Sequence, residues 1–510
     1  MPRPKRIACC GYVLAALSGL ISAVGQPTES GNDLRRTKIV CTIGPATRDQ
    51  SMVRRLVACG VDVFRINFSH GDRGEHLEEI RTIRKEAVRA KKTVAILQDL
   101  PGPKIRVGKI ENGAVDLVKG SSLLLTSRKV LGNESEVSVN YPDLIRFVKR
   151  GDTLHLADGL IRLKVEETTA DGASCTVAVG GTLSSGKGVN APGVRMKIKY
   201  PTPQDVEHLK FGLSHGVDFV ALSFVRSPSD VKAARRLFGR SDASVIAKVE
   251  KREAVENFDP LLEVADGIMV ARGDLGIEVP IERVPVIQKE IISKCNEAGK
   301  PVIVATQMLV SMVSSPVPSR AEATDVSTAV LDGADAVMLS DETAVGKYPV
   351  EAVLTLERIA KSAERVLGKY GHPLPEEETL PTEEAIARAA SRLARYVGAK
   401  VIVTPTHTGS TARRISKYRP EQPIVALCTA PSVARRMKLC WGVVPVLARQ
   451  SRTTDRLFAL AESTVLFLGL AEPGDRMVML SGTPGVGGST DLIKVLRVAG
   501  RRRAAAKRSP

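Results

Sequence analysis

From Thr37 to about residue 366 the chain repeats one unit: a short β-branched run ending in polar residues, then an amphipathic helical stretch. The apolar runs are 38–42, 61–67, 93–99, 218–224, 244–250, 267–272, 301–306 and 335–339. Helical periodicity fills the intervals, as at 51–58, 75–89, 203–215, 229–238, 252–264, 281–298, 320–331 and 349–366. Near-continuous apolar strands alternating with helices require a parallel sheet covered on both faces. Eight such units are the count of a (β/α)8 TIM barrel. The alternative, a doubly wound open sheet, is disfavoured because no G-x-G-x-x-G follows any of the runs.

One interval breaks the rhythm. Residues 108–194 carry short alternating runs (121–126, 136–140, 153–156, 160–165, 175–179) punctuated by glycines, as a small β-barrel lid domain inserted in a barrel loop would. Such an insert lies on the face where barrel enzymes hold their active sites, and is placed to close over one. The barrel is thus expected in two parts, 34–107 and 195–370. A Pro- and Glu-rich linker, 371–381, leads to a C-terminal α/β domain at 382–498, with a helix at 382–397 and runs at 401–405, 424–428, 443–446 and 477–481.

Charge placement limits the partners. Of a net +18, nine charges sit at the two ends: Arg3, Lys5, Arg6, Arg497, Arg501, Arg502, Arg503, Lys507 and Arg508. The interior is only mildly basic, and aromatics are 4% with a single tryptophan, Trp441, so no nucleic acid is expected and small anions suit the chain better. Eight cysteines without a C-x-x-C pair suggest a reducing compartment, hence the cytoplasm, and no zinc site. Residues 7–24 are uncharged, and Ala23-Val24-Gly25 resembles a cleavage site. Residues 1–25 therefore read as a segment for export or organelle targeting, or else as a dispensable extension or a start assigned too far upstream. Residues 1–33 and the basic tail 499–510 are left out of the fold; with no second apolar span, no membrane enzyme is expected.

The strand ends carry the chemistry. In order they give Thr42; Arg65, Asn67 and Ser69; Asp99; Ser223; Lys248 and Glu250; Arg272 and Asp274; Thr306; Ser340 and Glu342. Glu250 and Asp274 end adjacent strands, and one or two carboxylates completed by water and substrate phosphate are what Mg2+ prefers. Lys248 shares a strand face with Glu250, where a cation meets a phosphoryl group in transfer. The glycines of RGDLGIEVP around Asp274 let backbone amides approach an anion. The near-P-loop GTLSSGKG at 181–188 lacks the metal-binding hydroxyl and runs into no helix, so it is set aside, with Lys187 kept as a lid contact for phosphate. His70 and His407 are read as structural. In the last domain, Thr406, Thr408, Gly409, Ser410, Thr411 and Arg413 cluster at a strand-to-helix junction as a phosphate cradle, over which the loop 481–490 is placed to fold.

Ten ordered motifs across residues 35–498, among them TKIVCTIGPAT, FRINFSHGD, DLPGPKIRVG, ALSFVRSPSDV, IAKVE, MVARGDLGIEVP, VIVATQMLVSM and THTGSTARRISKYRP, closely resemble pyruvate kinase. The resemblance implies phosphoryl transfer from phosphoenolpyruvate to ADP, giving pyruvate and ATP. By it, Lys248 stabilises the phosphoryl group, Glu250 and Asp274 hold Mg2+ (or Mn2+), and Arg65 binds the substrate phosphate. Gly273, Asp274 and Thr306 take the substrate carboxylate, Thr306 also standing near the protonating water chain. Asn67, Arg106, Asp158 and Lys187 meet the nucleotide, which brings a second Mg2+. The resemblance also implies a homotetramer and a phosphorylated allosteric activator at the C-terminal cradle. One departure stands out: relatives that need K+ hold it with positions matching Asn67, Ser69, Asp99 and the carbonyl of Leu100, and carry glutamate where this chain has Lys104. K+ is therefore expected not to be required. The rival readings are another metal-dependent barrel enzyme acting on phosphoenolpyruvate or a 2-oxo acid, which needs neither Lys248 nor a nucleotide lid, and an inactive binding protein, which would have lost the lysine and the carboxylates.

Overall fold

The computed structural model describes residues 34–499, apart from 142, 197, 372–373, 375–378, 451–452 and 483–489. The extension 1–33, most of the basic tail, part of the linker and part of the loop 481–490 lie outside the described residues. Eight parallel strands close a barrel in chain order: β1 (Lys38–Ile43), β2 (Val63–Asn67), β3 (Ala95–Leu100), β4 (Phe219–Leu222), β5 (Ser244–Val249), β6 (Gly267–Ala271), β7 (Val302–Ala305) and β8 (Ala336–Leu339). The barrel reading is borne out, and the open sheet is excluded by the pairing of β8 with β1.

Two apolar layers follow from alternation along each strand. Val40, Val63, Leu97, Phe219, Ile246, Met269, Ile303 and Met338 fill the interior, while Ile39, Phe64, Ile96, Val220, Val245, Ile268 and Val337 face the helices. Helix starts are fixed locally. Capping boxes at Asp72/Glu75, Thr202/Asp205 and Ser319/Glu322 open the helices Arg73–Arg89, Pro203–Ser214 and Arg320–Leu331. Two expected helices differ. The stretch 252–264 is broken at Asn257 into Arg252–Glu256 and Phe258–Val264. The stretch 281–298 begins as a short 3-10 turn, Ile281–Arg283, before Val284–Glu297.

The insert has its own apolar core beneath a six-stranded sheet, Val189–Asn190, Thr153–Leu156, Ile161–Thr168, Gly172–Val179, Ser122–Thr126 and Glu136–Ser138 in spatial order. A separate hairpin-like pair, Ala114–Leu117 with Gly181–Ser184, was not foreseen, and it absorbs the start of the near-P-loop as strand. The C-terminal domain pairs Val443–Leu447, Ile424–Cys428, Val401–Thr406 and Arg476–Ser481 in parallel. A fifth strand, Leu492–Arg497, runs antiparallel at the edge, so Arg497 belongs to a strand and not to a loose end.

At the barrel base, where the strands begin, a fourfold device appears. Asp62, Asp218, Asp266 and Asp335 each precede an even-numbered strand. Each turns its carboxylate onto the preceding odd strand, accepting the amides of Ile39 (3.0 Å), Ile96 (2.8 Å), Val245 (2.7 Å) and Val302 (3.1 Å). Three are closed from below by cations of the C-terminal domain: Lys438 on Asp62 (2.6 Å), Arg435 on Asp218 (2.6 Å) and Arg419 on Asp335 (2.9 Å). Among the described residues Asp266 pairs only with Arg235, at 2.7 Å, and stays partly exposed. Leu439 of the same domain enters the interior layer. The C-terminal domain thus caps the barrel opposite its rim.

Candidate active site

At the rim, Asp99 is the organiser. Placed at the end of β3 and buried, it accepts from Arg65 Nε at 2.7 Å through one oxygen. Through the other it accepts from Lys248 Nζ at 3.1 Å and Ser223 Oγ at 3.2 Å. Burial alone would raise its pKa, but the Lys248 and Arg65 charges outweigh this and hold it below the ordinary carboxylate value. Lys248 also lies 2.7 Å from Ser223 Oγ and 2.8 Å from Glu250 Oε1. Burial works to strip its proton, yet Asp99 and Glu250 prevail and its pKa stays above that of free lysine. The ammonium is therefore fully charged at neutral pH.

Glu250 behaves oppositely. Burial, with the nearby Asp274 and Asp99 charges, pushes its pKa up against the pull of Lys248. Its second oxygen accepts the Phe224 amide at 2.7 Å, from a residue in the left-handed region (φ 56°). Two carboxylates close enough to perturb one another, one of them raised by the other's charge, form a donor pair that a divalent cation suits. Asp274 sits in the first turn of the helix Arg272–Glu278, with Lys104 Nζ 3.4 Å from its Oδ1. Lys104 thus turns into the cleft and not to solvent, 4.0 Å from Asp158 on the lid.

Thr306, at the end of β7, is strained: a β-branched residue at φ 68°. Arg272 clamps it there, donating to the Thr306 carbonyl (2.6 Å) while Asp325 holds the guanidinium at 2.6 and 2.7 Å. Thr306 Oγ1 accepts the Gly273 amide at 2.9 Å and donates to the Ala305 carbonyl at 2.6 Å. Arg65 reaches Thr42 Oγ1 at 3.0 Å.

The structure therefore brings together Arg65, Asp99, Ser223, Lys248 and Glu250, with Asp274, Gly273 and Thr306 beside them. Other strand-end residues prove to be scaffold. Arg272 shapes the Thr306 turn, and buried Glu342 gives both oxygens to backbone amides, Leu309 at 3.0 Å and Ser340 at 2.7 Å. Asn67 turns its Oδ1 to the Ser69 amide (3.1 Å), and the Phe68 amide bonds the Asp99 carbonyl (3.0 Å). Arg106 donates to the Gly186 carbonyl at 3.0 Å across the lid root, while Lys187 and Asp158 are exposed. In the C-terminal cradle the Gly409 amide donates to Thr406 Oγ1 (2.8 Å), and Thr411 Oγ1 meets Thr490 Oγ1 (2.8 Å).

Sequence reasoning missed a buried pair, Lys251 to Glu278 at 2.6 Å, which ties the turn after Glu250 to the helix carrying Asp274. The signal was there, since each lies within four residues of a carboxylate already singled out. Their contact, however, is made only in space.

A rim that gathers fixed positive charge around two carboxylates, beneath a domain rooted between β3 and β4, belongs to the class of barrel enzymes that move phosphoryl groups. Comparison with known proteins narrows the class. The family model described as pyruvate kinase, barrel domain, matches residues 34–353, and that described as pyruvate kinase, alpha/beta domain, matches 384–496. Pyruvate kinase 2 of Synechocystis is 49% identical over 469 residues, covering 90% of this chain and 79% of the relative. Pyruvate kinase of Thermotoga maritima is 46% identical over 468 residues, covering 91% and 100%, and that of Geobacillus stearothermophilus 47% over 470 residues, covering 90% and 80%. The chain belongs to the pyruvate kinase family and is a phosphotransferase.

Proposed function

We propose that this pyruvate kinase carries the phosphoryl group of phosphoenolpyruvate to ADP, the closing step of glycolysis, by means of the Lys248 cluster. The observation that carries the reading is the Lys248 ammonium lodged among Asp99, Ser223 and Glu250. Three polar partners hold its charge in one place, so little reorganisation is needed when negative charge spreads over the transferring group. Arg65, oriented by Asp99 and Thr42, binds the substrate phosphate. Amides of the first turn at Gly273 and Asp274, with Thr306, take the substrate carboxylate; the Gly273 amide exchanges Thr306 Oγ1 for it. Thr306 stands at the face where the enolate carbon receives its proton.

Enzymes of this family need a divalent metal. Mg2+, or Mn2+ in its place, suits Glu250 and Asp274, and when bound supplies charge neutralisation between substrate phosphate and protein carboxylate. Asn67, Arg106, Asp158 and Lys187 are the nucleotide contacts, the last two brought in by lid closure. Purified protein with phosphoenolpyruvate and ADP should form pyruvate and ATP only when Mg2+ is added. Pyruvate release without ADP would instead favour the other metal-dependent barrel enzyme. Glu250→Gln should raise the Mg2+ concentration giving half activity.

Lys104 takes over the role of K+. Its ammonium lies inside the cleft against Asp274, and Asp99, one of the expected cation ligands, is already satisfied by two cations. A further monovalent ion near Ser69 and Leu100 would meet repulsion from these charges. Full activity is expected in K+-free buffer, and Lys104→Glu should create a K+ requirement; strong K+ activation of the unmutated enzyme at constant ionic strength contradicts this.

The C-terminal cradle of Thr406, Thr408, Gly409, Ser410, Thr411 and Arg413 takes a phosphorylated activator, favoured by its left-handed glycine (φ 89°) and by the contact of Thr411 with Thr490. A coupling of about 1–3 kcal/mol should shift the substrate midpoint when phosphorylated metabolites are added. The enzyme works as a cytoplasmic homotetramer without nucleic acid or membrane partners; sedimentation and fractionation test this. Among the described residues no helix is long and apolar enough to cross a membrane.

A further inference from the structure

Glu250 and Asp274 come from separate elements, so neither element by itself sets the distance between them. Glu250 is fixed where it stands: one oxygen lies 2.8 Å from Lys248 Nζ, and the other accepts the Phe224 amide at 2.7 Å. Asp274 is held more loosely. Among the described residues its carboxylate meets one partner, Lys104 Nζ at 3.4 Å, so its position follows the helix Arg272–Glu278 that bears it.

That helix is seven residues long, and no side chain caps its start. A helix this short is not stable by itself and depends on what fastens it. Arg272, gripped by Asp325, fastens its first residue. Glu278 fastens its last, accepting from Lys251 Nζ at 2.6 Å. This second fastening works against stability. A carboxylate at a helix C-terminus meets the negative end of the helix dipole. Both side chains are buried, and Glu278 Oε2 has no hydrogen-bond partner among the described residues. A buried ion pair is often no more stabilising than an apolar pair of the same volume. What an ion pair adds here is a defined geometry.

The connections form a ring. Lys251 follows Glu250 directly in the chain, and Glu278 lies one helical turn after Asp274, on the same face. The ion pair joins the two stretches, and the remaining side of the ring runs from Asp274 to Glu250. We propose that the Lys251–Glu278 pair is a strut that sets the distance between Glu250 and Asp274, and with it their affinity for a divalent cation. The inference rests on the metal reading given above for these two carboxylates. Lys251 and Glu278 are positioning residues in it and not ligands. Cutting the strut frees the C-terminal end of the helix, and Asp274 drifts from Glu250.

The test titrates Mn2+ into the full-length enzyme without nucleotide and reads the free ion by electron paramagnetic resonance. The unmutated enzyme should bind Mn2+, and Glu250→Gln should weaken it. Lys251→Met should weaken binding by about 10–100-fold, the loss seen when a partner that orients a metal ligand is removed. Lys251→Arg, which keeps the ion pair, should recover most of that loss. The isosteric Glu278→Gln should match Lys251→Met, and the two together should cost no more than either alone, because they cut one strut. The half-activating Mg2+ concentration should rise with the Kd, while kcat at saturating Mg2+ falls far less. Where Lys251→Met does not fold, Glu278→Gln carries the test. Mn2+ binding as tight as in the unmutated enzyme, with only Tm lowered, overturns the proposal. So does a Lys251→Arg variant that binds no better than Lys251→Met. No Mn2+ binding at all, or binding that Glu250→Gln leaves intact, overturns the metal site itself and the strut with it.

Discussion

The two ends of this barrel use the same groups for opposite purposes. At the base, Asp62 is buried, accepts a strand amide and faces Arg35 and Lys438, with Lys38 adding charge; these cations outweigh burial and hold its pKa far below the ordinary value. At the rim, Glu250 is as deeply buried but has fewer cations than its burial and its acidic neighbours demand, and its pKa rises. Satisfied carboxylates lock elements together. An under-compensated carboxylate keeps affinity for a cation that is not part of the chain. What separates Asp62 from Glu250 is the surplus or deficit of compensation, not the presence of charge.

The comparison breaks first if Lys248 is not the charge it is taken for. Lys248→Met should lower kcat by at least about 10³-fold in a coupled assay while phosphoenolpyruvate still binds. A near-normal kcat would remove the rim from the chemistry. At the base the expected loss is of stability. Asp62→Asn leaves the buried Arg35 side chain and the half-buried Lys438 without their carboxylate and should cost about 3–5 kcal/mol in denaturant unfolding, with kcat of the folded fraction kept.

The pH profile sharpens the contrast. Asp62, with its folded pKa depressed, contributes stability that is present above its unfolded value of about 4 and is lost as pH falls through the folded one, so Asp62→Asn should flatten the acid limb. Burial draws Lys38 down to about 8, so the unfolded chain binds the extra proton between about 8 and 10.5. Stability should rise with pH across that window, by at most about 1.4 kcal/mol per unit, and the rise should vanish in Lys38→Met. The smallest effect is expected at Asp266, the half-open member of the base set: Asp266→Asn should cost no more than about 1 kcal/mol. A loss equal to that at Asp62 would show that the cations of the C-terminal domain contribute nothing.

Much of this was legible in the chain. The strand count came from periodicity, and the gathering of Lys248, Glu250, Asp274 and Thr306 at the rim was legible because strand ends can be read once strands are placed. The edge strand Leu492–Arg497 was missed because it is mostly exposed, with only Ile493 and Leu496 half-buried, and shows no apolar alternation. The base aspartates were passed over for a different reason. Each looks like an ordinary turn residue before a strand, and its meaning lies in an amide that is 21 to 122 residues away in the chain. The direction of Lys104 depended likewise on the lid and the Asp274 helix meeting around it.

The bond between Asp218 and the Ile96 amide spans the whole lid insertion. The lid grows from the gap between β3 and β4, and those are the strands this contact pins together at the base of the barrel. A door hung on two posts works without racking its frame only if the posts are joined at the foot. If the nearly ninety residues of the insert swing about Arg106 and its neighbours, as the proposed lid closure requires, the two posts keep their register. The distance between Asp99, on one post, and Ser223, beside the other, is set by the threshold and not by the door.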